Sequence, residues 1–202
     1  MSDKTIIHVI DDDAAMRDSL AFLLDVNGFR VQVYESADAF LGGIGNEAIN
    51  CVISDIRMPG MNGIELVRQL KNQGASCPVI LITGHGDVAL AVEAMKAGAA
   101  DFIEKPFDDE ALLGAIRAAL GARAAPPGES SARKEAEARL AELSPRERDV
   151  LQGLVAGKIN KVIAHDLSIS PRTVEVYRAN LMAKTGARSM SELMRIALAA
   201  GL

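Results

Sequence analysis

Hydrophobic and polar positions along the first 122 residues alternate between two rhythms. Short apolar runs occur at 6–10 (IIHVI), 30–34 (RVQVY), 51–54 (CVIS), 78–83 (PVILIT) and 101–104 (DFIE). Three of these are nearly continuous in apolar residues, as strands of a parallel sheet covered on both faces must be. Between them the period lengthens to that of a helix. Met16, Leu20, Leu23 and Leu24 recur on one face within 14–27 and Gly28 follows as a stop; Ile64, Val67 and Leu70 do the same within 63–72. Val88, Val92 and Met95 repeat the pattern within 87–97 before Gly98, and a last helix is predicted from about 108 to 120. Strand followed by helix, five times over, predicts an open α/β fold with a doubly wound five-stranded parallel sheet.

The pattern then stops. The stretch GARAAPPGESSARKEA is rich in Ala, Pro, Gly and Ser and has no apolar period, so 123–140 is expected to be a linker, with a helix-forming stretch (SARKEAEARLAEL) toward its end. Residues 141–202 are helical throughout and predict a second, smaller all-α domain. Ser144, Pro145 and Glu147 give an N-cap, a proline at the first helical position and a capping-box acid. A short helix follows over 160–167. A second Ser-Pro start at Ser170 opens a helix to Gly186, with Thr173 at its third position, and a fourth helix covers 189–201. The tight LSISP connection between the second and third of these is a helix-turn-helix arrangement.

Charge sharpens this division. Net charge is −9 over residues 1–122 and +4 over 123–202, which suggests a polyanion as partner for the second part. The N-terminus lacks a basic region followed by a long apolar stretch, and no run reaches membrane-spanning length, so a cytoplasmic protein without membrane contact is expected. Cys51 and Cys77 sit in or beside apolar runs and read as free thiols; their spacing fits no zinc site. His8 is expected to pack, His85 to lie in the loop after Thr83, and His165 to be structural.

The chemistry lies at strand ends. In such a sheet, ligands bind at the carboxyl edge. The first strand ends on Asp11, Asp12 and Asp13, the third on Asp55, the fourth on Thr83 and the fifth near Lys105-Pro106. Converging carboxylates repel unless a cation neutralises them, and a hard divalent ion such as Mg²⁺ suits oxygen ligands. With Lys105 as a fixed charge and Thr83 as a hydroxyl donor, the set suits phosphoryl transfer to Asp55. A turnover phosphatase of the aspartyl-phosphate type needs a second acid two residues after the nucleophile, where this chain has Arg57. A flavin or nucleotide carrier of this fold would cradle phosphate after the first strand, where three aspartates repel it.

The segments DDD (11–13), SDIRMPGMNG (54–63), TGHGD (83–87) and DFIEKPF (101–107) resemble a response-regulator receiver domain of the flavodoxin-like, CheY-like fold. The resemblance implies Asp55 as phospho-acceptor, Mg²⁺ held by Asp11, Asp12, Asp55 and the carbonyl of Arg57, Thr83 and Lys105 on the phosphoryl oxygens, Phe102 as a switch aromatic, and a cis Lys105-Pro106 bond. Residues 141–202 (LSPRERDVLQGLVAGKINKVIAHDLSISPRTVEVYRANLMAKTGARSMSEL) resemble the helix-turn-helix output domain of the LuxR, NarL and FixJ group.

Together these two resemblances describe a FixJ-type two-component regulator, with a histidine kinase as phosphodonor, double-stranded DNA as target, RNA polymerase as a further partner and a homodimer formed on phosphorylation through Val92 and Lys96. No turnover enzyme is implied. On the third helix of the output domain, Val174, Tyr177 and Leu181 form one face, and Arg172, Glu175, Val176 and Ala179 the opposite one, suited to the major groove. Lys158, Lys161, Arg172, Thr173, Arg178, Lys184 and Arg188 are the expected further DNA contacts. Two other readings fit the residues less fully. A kinase-independent DNA-binding protein whose receiver is only a dimerisation module would leave the acidic set without a use, and a protein-interaction bundle would leave the outward helix face without one.

Overall fold

A computed structural model of the chain describes residues 5–45, 49–84, 88–124 and 129–202. The chain divides into two compact units, Met1–His85 with Lys96–Ala125, and Gly86–Met95 with Pro126–Leu202. His85 and part of the expected linker lie outside the described residues. No helix among the described residues is long and apolar enough to cross a membrane.

The strands are β1 (Ile6–Ile10), β2 (Arg30–Tyr34), β3 (Cys51–Asp55), β4 (Val79–Thr83) and β5 (Asp101–Glu104), all paired in parallel in the order β2-β1-β3-β4-β5. Between and after them run α1 (Ala14–Val26), α2 (Ala37–Gly43), α3 (Gly63–Asn72), α4 (Val88–Ala97) and α5 (Asp109–Ala124). β3 and β4 are buried at every position, which is why their sequences are apolar without alternation. Ile7, Val9, Ile53, Ile80 and Ile82 form the sheet side of the core against Leu20 and Leu24 of α1 and Leu112 and Ile116 of α5. The order reverses between β1 and β3, so the ends of those two strands flank the crevice where such sheets bind ligands.

Two local features explain the remaining periodicity. α2 has no readable period because only Ala37 and Phe40 are buried in its seven residues; Ser36 starts it by accepting a bond from the Ala39 N–H. His8 is buried in β1, with its ring against Tyr34 and Phe40. Neither cysteine is in a disulfide; burial, with a lesser push from Cys77, raises the Cys51 thiol to about 12 and keeps it unreactive.

The second unit holds α6 (Glu129–Ala141), α7 (Pro145–Val155), α8 (Asn160–Asp166), α9 (Pro171–Thr185) and α10 (Met190–Ala199). Val150, Leu154, Val174, Leu181 and Leu193 are fully buried between them. The capping box of Ser144 and Glu147 is formed, and Ser170 caps α9 by accepting from the Thr173 N–H. α8 and α9 are joined by a four-residue turn in which Ser168 takes a left-handed φ of 55°.

The expected linker differs from its pattern. Ala136 and Leu140 of α6 are buried, and α6 packs on α10. Arg148 of α7 donates to the carbonyls at the end of α6, from Nη2 to Leu140 (2.8 Å) and Ala141 (3.3 Å) and from Nε to Leu143 (3.2 Å). Small and charged residues hid this packing, because one Ala and one Leu suffice to dock a helix whose end is capped by a guanidinium.

Candidate functional site

β1, β3, β4 and β5 bring Asp11, Asp55, Thr83 and Lys105 to the carboxyl edge of the sheet. Asp11, Asp55 and Thr83 are all buried, and Lys105 is half-buried. The Lys105 ammonium lies 2.6 Å from Asp55 Oδ1 and 3.0 Å from Asp11 Oδ2, bridging the two carboxylates. Asp55 Oδ2 accepts the Arg57 N–H at 2.6 Å, which fixes the plane of the carboxylate. Asp11 Oδ1 accepts the Asp13 N–H at 2.9 Å, and Arg17 Nη1 donates to the Asp11 carbonyl at 2.7 Å. The Lys105 N–H donates to the Thr83 carbonyl at 2.7 Å, tying the β5 exit to β4, and the Lys105-Pro106 bond is cis.

α3 closes against this edge because residue 63 is glycine. A Cβ there would stand 2.5 Å from the Asp55 carbonyl oxygen and 3.0 Å from Leu81. The helix begins immediately at that contact, under a capping box of Asn62 and Glu65.

Two carboxylates around one ammonium leave the pocket with excess negative charge. Burial pushes the Asp11 carboxyl above its ordinary range, against the hydrogen bonds from Asp13 and Lys105. For Lys105, burial acts to lower the pKa, but the hydrogen bonds to Asp55 and Asp11 outweigh it and the ammonium is held above its usual value. Hard oxygen donors with uncompensated charge fit a Mg²⁺ ion, which keeps several waters and needs only one or two carboxylates.

The other expected residues differ in exposure. Asp12 is exposed, and among the described residues no three His, Cys, Asp or Glu side chains gather as a metal site. Lys105 pairs with Asp11 and Asp55. Of the expected dimer residues, Lys96 is exposed and Val92 is buried. Phe102 is buried at 8% exposure.

In the output unit, Val174 and Leu181 of α9 are buried while Arg172, Glu175, Val176 and Ala179 are exposed on the other side. Lys161 and Arg172 are exposed and carry no ion pair among the described residues. Thr173 is half-buried, its hydroxyl 2.8 Å from Ser170 Oγ. Arg188 is exposed, and three further cations are engaged within the unit. Arg178 Nη1 donates to Asn160 Oδ1 (3.1 Å), Lys158 pairs with Asp166 (2.8 Å), and Lys184 pairs with Glu147 (2.7 Å). A partner in another element or turn leaves no local signal in the sequence, which is why these cations read there as available to DNA. Gly63 and Arg17 were also missed; the Met-Asn-Gly start of α3 was the readable sign of the first, whereas nothing marks the second.

Comparison with known proteins agrees with both halves. Residues 7–117 match the response regulator receiver domain family, and residues 141–197 match the bacterial regulatory proteins of the luxR family. The chain is 54% identical to the transcriptional regulatory protein FixJ of Bradyrhizobium diazoefficiens, over 100% of this chain and 98% of that one. It is a FixJ-type two-component response regulator. This response regulator is also 51% identical to FixJ of Rhizobium meliloti, over 100% of this chain and 98% of the relative. The crystal structure of full-length FixJ from B. japonicum aligns with a TM-score of 0.56 at 53% identity, covering 98% of each chain.

The family is one of transcription factors rather than enzymes; the receiver implies a histidine kinase partner, and the luxR-type domain implies DNA binding. Receiver domains as a class use Mg²⁺ for phosphorylation.

Proposed function

We propose that Asp55 is the phospho-acceptor of this response regulator. The supporting observation is the buried Asp55 carboxylate held 2.6 Å from the Lys105 ammonium at the carboxyl edge of the sheet. A carboxylate oxygen of Asp55 attacks the phosphorus of the kinase phosphohistidine. The P–N bond breaks, and its electron pair returns to the imidazole nitrogen, which takes up a proton. Lys105 neutralises charge on the phosphoryl oxygens, and the Thr83 hydroxyl, at the end of the adjacent strand, donates to one of them. Asp11, Asp55 and the Arg57 carbonyl would hold Mg²⁺, with Asp12 beside them on the solvent side; the ion supplies further positive charge to the phosphoryl group.

Residues 1–122 are the receiver and 141–202 the DNA-binding part, in a regulator acting in the cytoplasm. Phosphorylation draws Thr83 toward the new group, Phe102 repacks, and the population shifts toward a homodimer that uses Val92 and Lys96. The dimer then places α9 in the major groove of double-stranded DNA, with Glu175, Val176 and Ala179 at base edges and Lys161 and Arg172 over phosphates, and recruits RNA polymerase. The test is to treat the chain with acetyl phosphate and Mg²⁺ and follow its mass in solution and its capture of duplexes from a random pool. Wild type should dimerise and enrich a sequence while Asp55→Asn does neither. Equal responses in the variant would refute the assignment.

A further inference from the structure

Lys184 lies in the last turn of α9, where a cation beside a reading helix would ordinarily be counted among the phosphate contacts. Its ammonium is 2.7 Å from Glu147 Oε2. The same oxygen accepts the Ser144 N–H at 2.7 Å, so one carboxylate closes the capping box of α7 and holds the end of α9. Glu147 is only 3% exposed. The hydrogen bond from Lys184, followed by that from Ser144, holds its carboxyl below the usual range, so Glu147 is a carboxylate at neutral pH.

Moving Lys184 to a DNA phosphate would leave that covered carboxylate without its counter-charge, and a charge stranded in this way is costly. A surface lysine such as Lys161 faces no such penalty. Arg178 adds a second tether, from the middle of α9 to Asn160 at the start of α8. With Val174 and Leu181 buried on the same helix, α9 is thus fixed to α7 at one end and to α8 at its centre.

We propose that Lys184 is a positioning residue for DNA reading: through Glu147 it straps the recognition helix to α7, and it contributes no phosphate contact. This rests on the reading of α9 as the groove-entering helix. The strap sets the angle at which Glu175 and Val176 meet base edges, while counterion release comes from cations such as Lys161 and Arg172.

The test uses the full chain treated with acetyl phosphate and Mg²⁺, a duplex that the wild type enriches from a random pool, and a scrambled duplex, titrated at several salt concentrations. Lys184→Met should leave the salt slope unchanged and reduce the preference for the enriched duplex about tenfold, the size of one weakened base contact. Glu147→Gln keeps a cap acceptor but releases the ammonium, so its slope should steepen by about one unit. The double variant should match Lys184→Met in slope, and Lys161→Met should flatten the slope by about one unit with preference unchanged.

A Lys184→Met chain whose slope flattens while its preference is kept, or a Glu147→Gln chain with the wild-type slope, overturns the strap. Glu147→Gln decides the matter if Lys184→Met does not fold. A wild type that enriches no duplex overturns the DNA reading itself, and the strap's positioning role falls with it.

Discussion

Gly63 is where the acidic pocket has least room. A methyl group there meets the Asp55 carbonyl at 2.5 Å, and backbone cannot step aside as a flexible side chain does. Gly63→Ala should destabilise the receiver by about 1–3 kcal/mol and slow acetyl phosphate labelling, because relief requires β3 or α3 to shift. Urea unfolding with a labelling time course checks both, and a variant with wild-type stability would show that the approach is looser than described. Glu147 offers a pH test with a definite sign. Its pKa is lower in the folded chain than its ordinary 4.5, mainly through Lys184, so the stability it contributes is present above that value and lost as pH falls through the folded pKa. The stability difference between wild type and Glu147→Gln should therefore shrink below about pH 4.5. Asp55, Thr83 and Lys105 were legible in the sequence because a polar residue ending an apolar run announces itself. The surroundings of Asp12, Val92 and Lys184 were not legible, because which partner a side chain meets is decided by packing between distant segments.

At the scale of elements, the five strands and the helices with three or more core positions were readable from period alone, as were the capping box at Ser144 and the turn into α9. α2 was not, and the second half of α6 was expected as a helix-forming stretch but not as a packed one. The first has too few buried positions to show a period, and the second docks through Ala136 and Leu140 with the Arg148 guanidinium on the carbonyls at its end. Removing that guanidinium strands carbonyls at the end of α6. Arg148→Met should cost the output unit about 1–3 kcal/mol, the range for hydrogen bonds to a charged donor. A fragment of 129–202 should likewise unfold at higher denaturant than one of 141–202, and equal midpoints would show that α6 adds nothing. The turn between α8 and α9 makes a sharper local demand. Ser168 sits at φ 55°, where a β-branched residue is strained, so Ser168→Val should lose about 1–2 kcal/mol without altering receiver labelling.

For the whole molecule, the acidic first part and the basic second part fit a chain whose front end handles a phosphoryl group and whose back end meets a polyanion. Coupling between them should run through Thr83. Thr83→Ala should still be labelled at Asp55 yet remain monomeric by light scattering, since the hydroxyl that links the phosphoryl group to the rest of the receiver is gone; labelled Thr83→Ala that dimerises like wild type would break that link. Everything in this account depends on where the phosphoryl group goes. The most direct measurement is to treat the full chain with acetyl phosphate and Mg²⁺, reduce the acyl phosphate with borohydride and locate the resulting homoserine by peptide mass. Wild type should yield homoserine at position 55 and Asp55→Asn none; homoserine at another aspartate in the wild type, or an undiminished yield in the variant, would overturn Asp55 as the acceptor.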